Sequence, residues 1–268
     1  MNAVLGYLLV EGPHDLAVVE RILHVSHGFS LLRKRSALEA LIPNSAWLHL
    51  LDHDRNNAGR ANGSADDLVA RRHVPYYLAD GAGRVLVIDA ATGDSGLGAR
   101  LQIIRLVTDW AEVTGWGVVL DADREVPVVK LRRLAQSIPG LPASPGVTGI
   151  LPGPPRVGVH LLPDNLRPGT LEEPLLAAAA ISYPKTLAKA QAYVAQVSAD
   201  PDAWTKHEWV GISKPAGTAK AVIAAITAIT DPGMTSQVGL SQRAWVTPDT
   251  IANTDLKHLD SFLTALFF

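Results

Sequence analysis

The stretch LGYLLVEGPHDLAVVERIL, residues 5–23, decides the fold of this chain. It is an apolar run that stops at Glu11, turns through a Gly-Pro pair and continues as a helical pattern that carries Asp15. This order predicts a buried strand over residues 4–10 and a helix over residues 14–27. Because α/β proteins place reacting and metal-binding groups where a strand ends beside a helix, Glu11 and Asp15 are candidate site residues. The plainer alternative is that both acids complement the positive end of the helix dipole.

A second apolar run, GWGVVLDAD at residues 115–123, also ends on acidic residues. We expect a strand over residues 116–121, with Asp121 and Asp123 on one side because side chains alternate along an extended segment. Two carboxylates held together repel each other unless a cation or a proton relieves them. Oxygen ligands of this kind suit Mg²⁺ or Mn²⁺, and a polar loop at a strand end is the alternative interpretation.

Composition restricts the class of protein. The 268 residues are 47% hydrophobic and 19% charged, with a formal net charge of −2. This is a globular composition without the basic excess of a protein that coats nucleic acid. The chain has no cysteine, which excludes disulfides and thiolate metal sites and suits a cytoplasmic protein. We expect no signal peptide and no membrane association, because no apolar run approaches the roughly 20 residues that a bilayer requires.

Strands and helices alternate over the first two-thirds of the chain, which predicts an α/β fold with a mostly parallel sheet and helices on both faces. The apolar segments at 74–80 and 84–90 indicate a hairpin or two adjacent strands. Residues 31–73 are interpreted as an insertion, partly mobile. We expect residues 1–182 to form the α/β core and residues 183–268 to form a C-terminal helical cap packed on it, in a single compact domain. Further helices are predicted at 95–113, 128–134, 170–181 with Thr170 as N-cap, 184–198, 216–229 and 254–267, and a further strand at 157–163.

Three charged residues in the second half of the chain are also candidates. Glu172 and Glu173 begin a helical pattern, where acids complement the helix dipole. Thr170 and Glu173 have the spacing of a capping box, which explains Glu173 without chemistry. Glu172 is kept as a metal ligand or a water-orienting base. Lys220 lies at the start of the run AKAVIAAI, where the alternative is an ordinary exposed lysine.

Taken together, EGPHD, DAD and GTLEE resemble the motifs of the TOPRIM fold, which topoisomerases, bacterial primases and recombination-mediator proteins share. In that fold a glutamate ends the first strand and a DxD motif ends a later one. The four-residue spacing from Glu11 to Asp15 resembles the nucleases of the overcoming-lysogenization-defect family. The later runs VGVHLLPDNLRPGTLEEPLL, KAVIAAITAITDPG and FLTALF are similar to a stand-alone bacterial TOPRIM-like family. The resemblance covers roughly residues 1–30, 85–135 and 155–268.

The resemblance implies a Mg²⁺- or Mn²⁺-dependent nuclease that hydrolyses phosphodiester bonds of DNA or RNA, with two ions bound by carboxylates. The implied metal ligands are Glu11, Asp15, Asp121, Asp123 and Glu172. Glu11 and Glu172 would also act in catalysis. A lysine near the metals would stabilise the developing charge; Lys220 matches that position, and Lys214 competes for the role.

Two other functions remain open at this point. A TOPRIM-like domain without catalysis would bind nucleic acid or a partner protein. A glycosyltransferase that holds a metal–nucleotide sugar on DAD would leave EGPHD unexplained. The chain lacks the GK[ST] ending of a P-loop, so coupling to ATP would require an ATPase partner chain.

Two sets of residues compete with this interpretation or add to it. His49, Asp52, His53 and Asp54 form a rival cluster of the kind that binds zinc, but no further motif accompanies it. Basic groups that could contact a phosphate backbone, with a solvated face as the alternative, are Arg33-Lys34-Arg35, Arg71-Arg72 and Lys130 with Arg132 and Arg133.

Overall fold

The computed structural model describes residues 5–57, 67–68, 75–91, 93–141, 149–200, 202, 204–214 and 216–268. Within these residues, a seven-stranded sheet lies between two layers of helices. The strands are β1 (Leu5–Val10), β2 (Ser30–Leu31), β3 (Tyr76–Ala79), β4 (Val85–Ala90), β5 (Val113–Asp121), β6 (Ile150–Leu151) and β7 (Arg156–Leu162). The helices are α1 (Pro13–His27), α2 (Arg35–Leu41), α3 (Trp47–Asn57), α4 (Leu97–Val107), α5 (Pro127–Ser137), α6 (Glu172–Ser182), α7 (Pro184–Ser198), α8 (Lys206–Ile212), α9 (Gly217–Thr230), α10 (Ser236–Gln242), α11 (Pro248–Asn253) and α12 (Leu256–Phe267).

The strand order is β2-β3-β4-β1-β5-β7-β6. The four central strands, β4, β1, β5 and β7, are parallel, whereas β2, β3 and β6 pair antiparallel at the two edges. Val10 lies beside Ala90 of β4 and Val119 of β5. The carboxyl ends of these three strands therefore meet at one edge of the sheet, which is where ligands bind in open α/β sheets. The predicted hairpin and mostly parallel sheet are confirmed.

The sheet separates two apolar cores. Along β1, Leu8 and Val10 belong to one core, and Leu5, Tyr7 and Leu9 belong to the other, as the alternation of side chains requires. The first core packs beneath α1, α6, α7 and α9–α12, and the second beneath α2–α5. Both faces of the sheet are thus covered, which explains why β1 is apolar at every position instead of alternating.

The prediction of a helix over residues 95–113 is wrong for its last third. α4 ends at Val107, and Val113 already begins β5. The Asp109 side chain accepts a hydrogen bond from the Ala111 amide at 2.8 Å and starts a separate 3₁₀ turn. A short polar side chain that bonds its own backbone in this way competes with helix continuation.

The described part of the predicted insertion is integral to the second core. It forms β2, α2 and α3, whose Leu38, Trp47 and Leu50 are buried. This part of the chain therefore completes the helix layer on that face. Residues 58–66 and 69–73 of the predicted insertion lie outside the described residues.

The C-terminal helices pack on the sheet, with α12 lying directly against it. A Cβ added at Gly117 would lie 2.7 Å from Leu266, and one at Gly158 would lie 2.7 Å from Phe262. These glycines allow the close approach of α12 to β5 and β7. Among the described residues, no helix has the length and apolarity needed to cross a membrane.

Candidate functional site

A pocket opens at the carboxyl ends of β1 and β5. Four carboxylates that the sequence singled out line it, together with Lys220 and His14. We call these four acids the acid pocket: Glu11, Asp15, Asp121 and Glu172.

Glu11 links the two strand ends. It follows the last residue of β1, and its Oε2 accepts a hydrogen bond from the Asp121 amide at 3.3 Å. Glu11 and Asp121 therefore emerge at the same edge of the sheet. The contact also fixes the orientation of Glu11 toward β5.

Asp15 both caps a helix and lines the acid pocket. It is buried in the first turn of α1, where its Oδ2 accepts a hydrogen bond from the Gly12 amide at 2.9 Å. The plainer interpretation, a first-turn acid that complements the helix terminus, therefore holds. The same side chain lies beside Glu11 and Glu172, which both repel its charge.

Asp121 brings the loop before α6 to the end of β5. Its Oδ1 accepts a hydrogen bond from the Leu171 amide at 2.7 Å, and the next residue is Glu172. Glu172 is only 4% exposed, and its Oε2 is buried without a hydrogen-bond partner. Buried polar atoms in native proteins are almost always paired, so an unpaired carboxylate oxygen indicates a missing ligand or water.

Burial and mutual repulsion raise the proton affinity of the acid pocket. Burial raises the pKa of Asp15 to about 7, and the charges of Glu11 and Glu172 act in the same direction. Burial also raises the pKa of Asp121 to about 8, with Asp15, Glu172 and Glu11 contributing. The pKa of Glu11 is raised chiefly by burial, against the hydrogen bond from Asp121. The pocket therefore holds more carboxylate charge than its own surroundings balance.

Backbone amides occupy one oxygen each on Glu11, Asp15 and Asp121. Among the described residues, no three His, Asp or Glu side chains already stand in an arrangement that could hold a metal ion. An ion that bound in the acid pocket would therefore require some of these side chains to rotate. The donor set itself, oxygen atoms of four acids, is the set that hard divalent cations prefer.

Lys220 lies on the rim of the acid pocket. Its Nζ is 3.7 Å from Glu172 Oε1, and its side chain is 56% exposed. Lys214 is exposed and precedes α9. The lining of the pocket includes Lys220, so the geometry favours Lys220 over Lys214 as the cation that meets the acids.

His14 is a pocket residue that the sequence analysis missed. It lines the acid pocket directly before Asp15, and burial lowers its pKa, with Glu172 raising it and Lys220 lowering it. The signal was present in the EGPHD motif, whose histidine sits one residue from a candidate acid. A first-turn residue of α1 can turn toward the strand end or away from it, and the spacing alone does not decide between them.

The expectation that Asp123 shares one side with Asp121 is wrong. β5 ends at Asp121, and Asp123 has a left-handed backbone with φ of 56°, so strand alternation stops before it. Its amide donates to the Gly169 carbonyl at 2.8 Å, and its carboxylate accepts from Lys130 Nζ at 3.0 Å. Asp123 lines a neighbouring pocket instead, which it shares with Glu172.

Glu173 has a structural role, but not the predicted one. α6 begins after Leu171 without a side-chain cap, so Thr170 does not form the capping box. The Glu173 carboxylate accepts a hydrogen bond from Arg167 Nη1 at 3.0 Å. The strong donor at Arg167 accounts for the orientation of Glu173.

The rival zinc cluster is not assembled in the described residues. Asp52 forms an ion pair with Arg35, and Arg35 also pairs with Glu39. The side chain of Asp54 lies outside the described part of the chain. All four residues belong to one helix, α3, whose apolar face packs into the second core.

The basic groups differ from one another in the structure. Arg33 and Lys34 are exposed, whereas Arg35 binds acids of its own chain. Arg71 and Arg72 lie outside the described residues. The interpretation of Lys130 as part of a phosphate-contacting or solvated surface is wrong, because its side chain is 1% exposed and contacts Asp94 and Asp123.

Comparison with known proteins identifies a family and a structural neighbour. The family described as "Protein of unknown function (DUF3226)" matches residues 6–267. A crystal structure of the hypothetical protein PH0156 from Pyrococcus horikoshii OT3 is similar, with 17% sequence identity and a TM-score of 0.53 over 98% of this chain and 95% of that one. At this identity the likeness shows a shared fold. No curated protein matches the chain significantly.

Proposed function

Since the chain belongs to the family described as protein of unknown function DUF3226, we propose its activity from the site: a metal-dependent nuclease that hydrolyses phosphodiester bonds in DNA or RNA. The observation that carries the proposal is the acid pocket. Four carboxylates converge at the carboxyl ends of β1 and β5, and Glu172 Oε2 is buried there without a partner. Acids in such numbers are stable together when a cation joins them. The resemblance of EGPHD, DAD and GTLEE to TOPRIM nucleases supports the same activity.

The residues present fit Mg²⁺ or Mn²⁺. The pocket offers oxygen ligands, one of them a buried carboxylate oxygen without a partner, and these suit a hard divalent cation; the chain has no cysteine that would favour a softer one. Glu11, Asp15, Asp121 and Glu172 would hold the ion. When bound, it would polarise a phosphoryl oxygen and make a nearby water more acidic.

The chain's own groups would carry the remaining roles. Glu11, whose pKa is raised by burial, would accept a proton from the attacking water. Glu172 would orient that water as well as hold the ion. Lys220, at 3.7 Å from Glu172 and half exposed, would place its positive charge against the phosphoryl oxygens of the substrate.

A cleavage assay with four labelled substrates tests this proposal. Single- and double-stranded DNA and RNA are each incubated with the protein and Mg²⁺, Mn²⁺ or a chelator. We expect divalent-dependent cleavage of at least one substrate, and we expect Glu11→Gln to lower its rate about 100-fold or more. Glutamine keeps the size of the side chain and its acceptor for the Asp121 amide, so such a loss would reflect chemistry and not packing.

The neighbouring glutamates provide a matched control. Glu172→Gln should abolish cleavage, whereas Glu173→Gln, which changes an acid bound to Arg167, should leave the rate within about twofold of wild type. Cleavage that persists in the chelator, or that survives Glu11→Gln at the wild-type rate, would contradict the proposed metal chemistry.

A non-catalytic module that binds nucleic acid or a partner protein is the second candidate. One observation favours it. Three of the four acids already accept hydrogen bonds from backbone amides, and among the described residues no three acidic or histidine side chains are arranged to hold a metal ion. This candidate predicts that the wild-type protein binds one of the four substrates without cleaving it.

For the nuclease, we propose a cytoplasmic location and, wherever its activity is coupled to ATP, an ATPase partner chain.

A further inference from the structure

A second group of charged residues lies beside the acid pocket, and its two cations form ion pairs with its three carboxylates. Lys130 Nζ contacts Asp123 Oδ2 at 3.0 Å and Asp94 Oδ2 at 3.4 Å. Arg133 Nη2 contacts Asp94 Oδ2 and Glu125 Oε2, both at 3.1 Å. We call this group the Lys130 network: Lys130, Arg133, Asp94, Asp123 and Glu125.

The position of the network follows from the sheet order. Asp94 comes after β4 and Asp123 comes after β5, and these strands flank β1, which ends at Glu11. Lys130, from α5, therefore joins two strand ends on either side of Glu11. Its side chain is 1% exposed, and a buried ammonium is stable only when carboxylates surround it closely.

The two neighbouring groups of acids thus differ in how they are neutralised. Asp94 and Asp123 have a buried ammonium between them, and Asp94 also has a guanidinium. Among the described residues, the ammonium within ion-pair distance of the acid pocket is that of the half-exposed Lys220, at 3.7 Å from Glu172, and one buried oxygen of the pocket has no partner. The charge of Lys130 also acts on Glu11, but Lys130 forms no ion pair with it. The acid pocket therefore lacks a counter-charge that an added cation could supply, whereas Asp94 and Asp123 already have one.

We propose that the Lys130 ammonium supplies the charge that a second divalent ion would bring to Asp94 and Asp123, so that the chain binds one divalent ion, in the acid pocket. The inference rests on the proposed function for that ion and replaces the two-ion site that the sequence led us to expect. Lys130 is a positioning residue: it holds Asp123 away from the acid pocket and acts through that contact.

Counting bound Mn²⁺ tests the inference without measuring activity. Purified chain is titrated with Mn²⁺, and free Mn²⁺ is followed by its electron paramagnetic resonance signal. We expect one ion per wild-type chain and two per Lys130→Met chain, because methionine keeps the unbranched shape and most of the length of the side chain and removes its charge. Lys130→Arg should bind one ion. Lys220→Met is the matched control, since it removes a lysine from the same edge of the sheet and should leave the count at one.

A second pair of variants keeps the test decisive if Lys130→Met does not fold. Asp123 is 58% exposed, so Asp123→Asn should fold, and we expect it to bind one ion with affinity within about threefold of wild type. Asp121→Asn should lose the ion. Two ions in the wild type, one ion in a folded Lys130→Met, or loss of the ion in Asp123→Asn would each overturn the inference. No bound ion in the wild type would instead refute the metal-dependent function itself.

Discussion

Replacing Asp121 by asparagine should make the protein more stable when no metal is present, although it removes a partly buried carboxyl group that contacts the backbone. Asp121 accepts a hydrogen bond from the Leu171 amide at 2.7 Å, and the side-chain oxygen of asparagine can accept the same bond. The negative charge is what the surroundings disfavour. Burial, together with Asp15, Glu172 and Glu11, raises the pKa of Asp121 from 3.8 to about 8.

The size of the effect follows from that shift. Each unit by which a pKa differs between the folded and unfolded chain corresponds to about 1.4 kcal/mol. At pH 7 the unfolded chain ionises Asp121 freely, whereas the folded chain must keep it protonated or accept the repulsion. Asparagine avoids both costs. Since its amide must still fit among three other acids, we expect a net gain on the order of 2 kcal/mol, or about 4–8 °C in Tm for a chain of this length.

Urea and thermal unfolding at pH 7 in a chelator measure the change. Asp164→Asn provides a control of opposite sign, because the amides of Leu166 and Arg167 and the Arg167 guanidinium hold the pKa of Asp164 below its usual value, against the effect of burial. That substitution should lower the free energy of unfolding. With excess Mn²⁺ the order of wild type and Asp121→Asn should reverse, since ligand binding stabilises only the chain that binds it.

The refuting result is equally specific. If Asp121→Asn were less stable than wild type in the chelator, while Asp164→Asn behaved as expected, then the Asp121 carboxylate would be stabilising as it stands. The acid pocket would then need no cation, and the main support for a metal site would be lost.

Three further predictions concern the role of Lys220, the pH dependence of stability and the packing at Gly6. Lys220→Ala should lower kcat about 100-fold and change KM less than about threefold, the pattern of a contact made mainly in the transition state, measured by steady-state kinetics on the cleaved substrate; equal effects on both would contradict it. The folded chain binds protons at Asp15 and Asp121 more tightly than the unfolded chain does, so the stability that they contribute below about pH 4 should be lost as pH rises toward 7–8. Tm in a chelator should therefore fall between pH 5 and pH 8. Mn²⁺ should restore it at pH 8. Gly6→Ala should destabilise the chain by about 1–3 kcal/mol, since the added Cβ would lie 2.5 Å from Leu86, whereas Gly81→Ala, in open space, should have little effect in the same urea titration.

The fold could be predicted from the sequence where one signal dominated. β1 is apolar at six successive positions and is followed by proline in the first turn of α1, and both features act locally. The parallel sheet then follows from the alternation of elements. The strand order could not be predicted, because it depends on which strands meet across the sheet. It is this order that places β1 between β4 and β5 and brings Glu11 beside Asp121.

The site could be predicted in part for the same reason. Glu11, Asp15 and Asp121 lie within two residues of a strand end or in the first turn of a helix, so their positions follow from local structure. The position of the Asp123 side chain does not follow from the strand end, because its direction is set by a left-handed backbone and by the contact with Lys130 seven residues later. A lysine in an amphipathic helix gives no sign in the sequence that it is buried. Lys130 was therefore interpreted as part of a surface.

The two lysines of the site show how burial assigns their roles. Lys130 reaches the sheet edge from α5, on the face of the second core, and Lys220 reaches it from α9, on the face of the first core. The buried Lys130 ammonium is surrounded by carboxylates instead of water, and separating it from them would cost several kcal/mol. Lys130 therefore stays bound to Asp94 and Asp123. Lys220 keeps much of its hydration and contacts Glu172 at 3.7 Å, so it can turn to an incoming anion at little cost. The lysine that the substrate would meet is therefore the exposed one, and the buried one sets how much positive charge the site must take from solution.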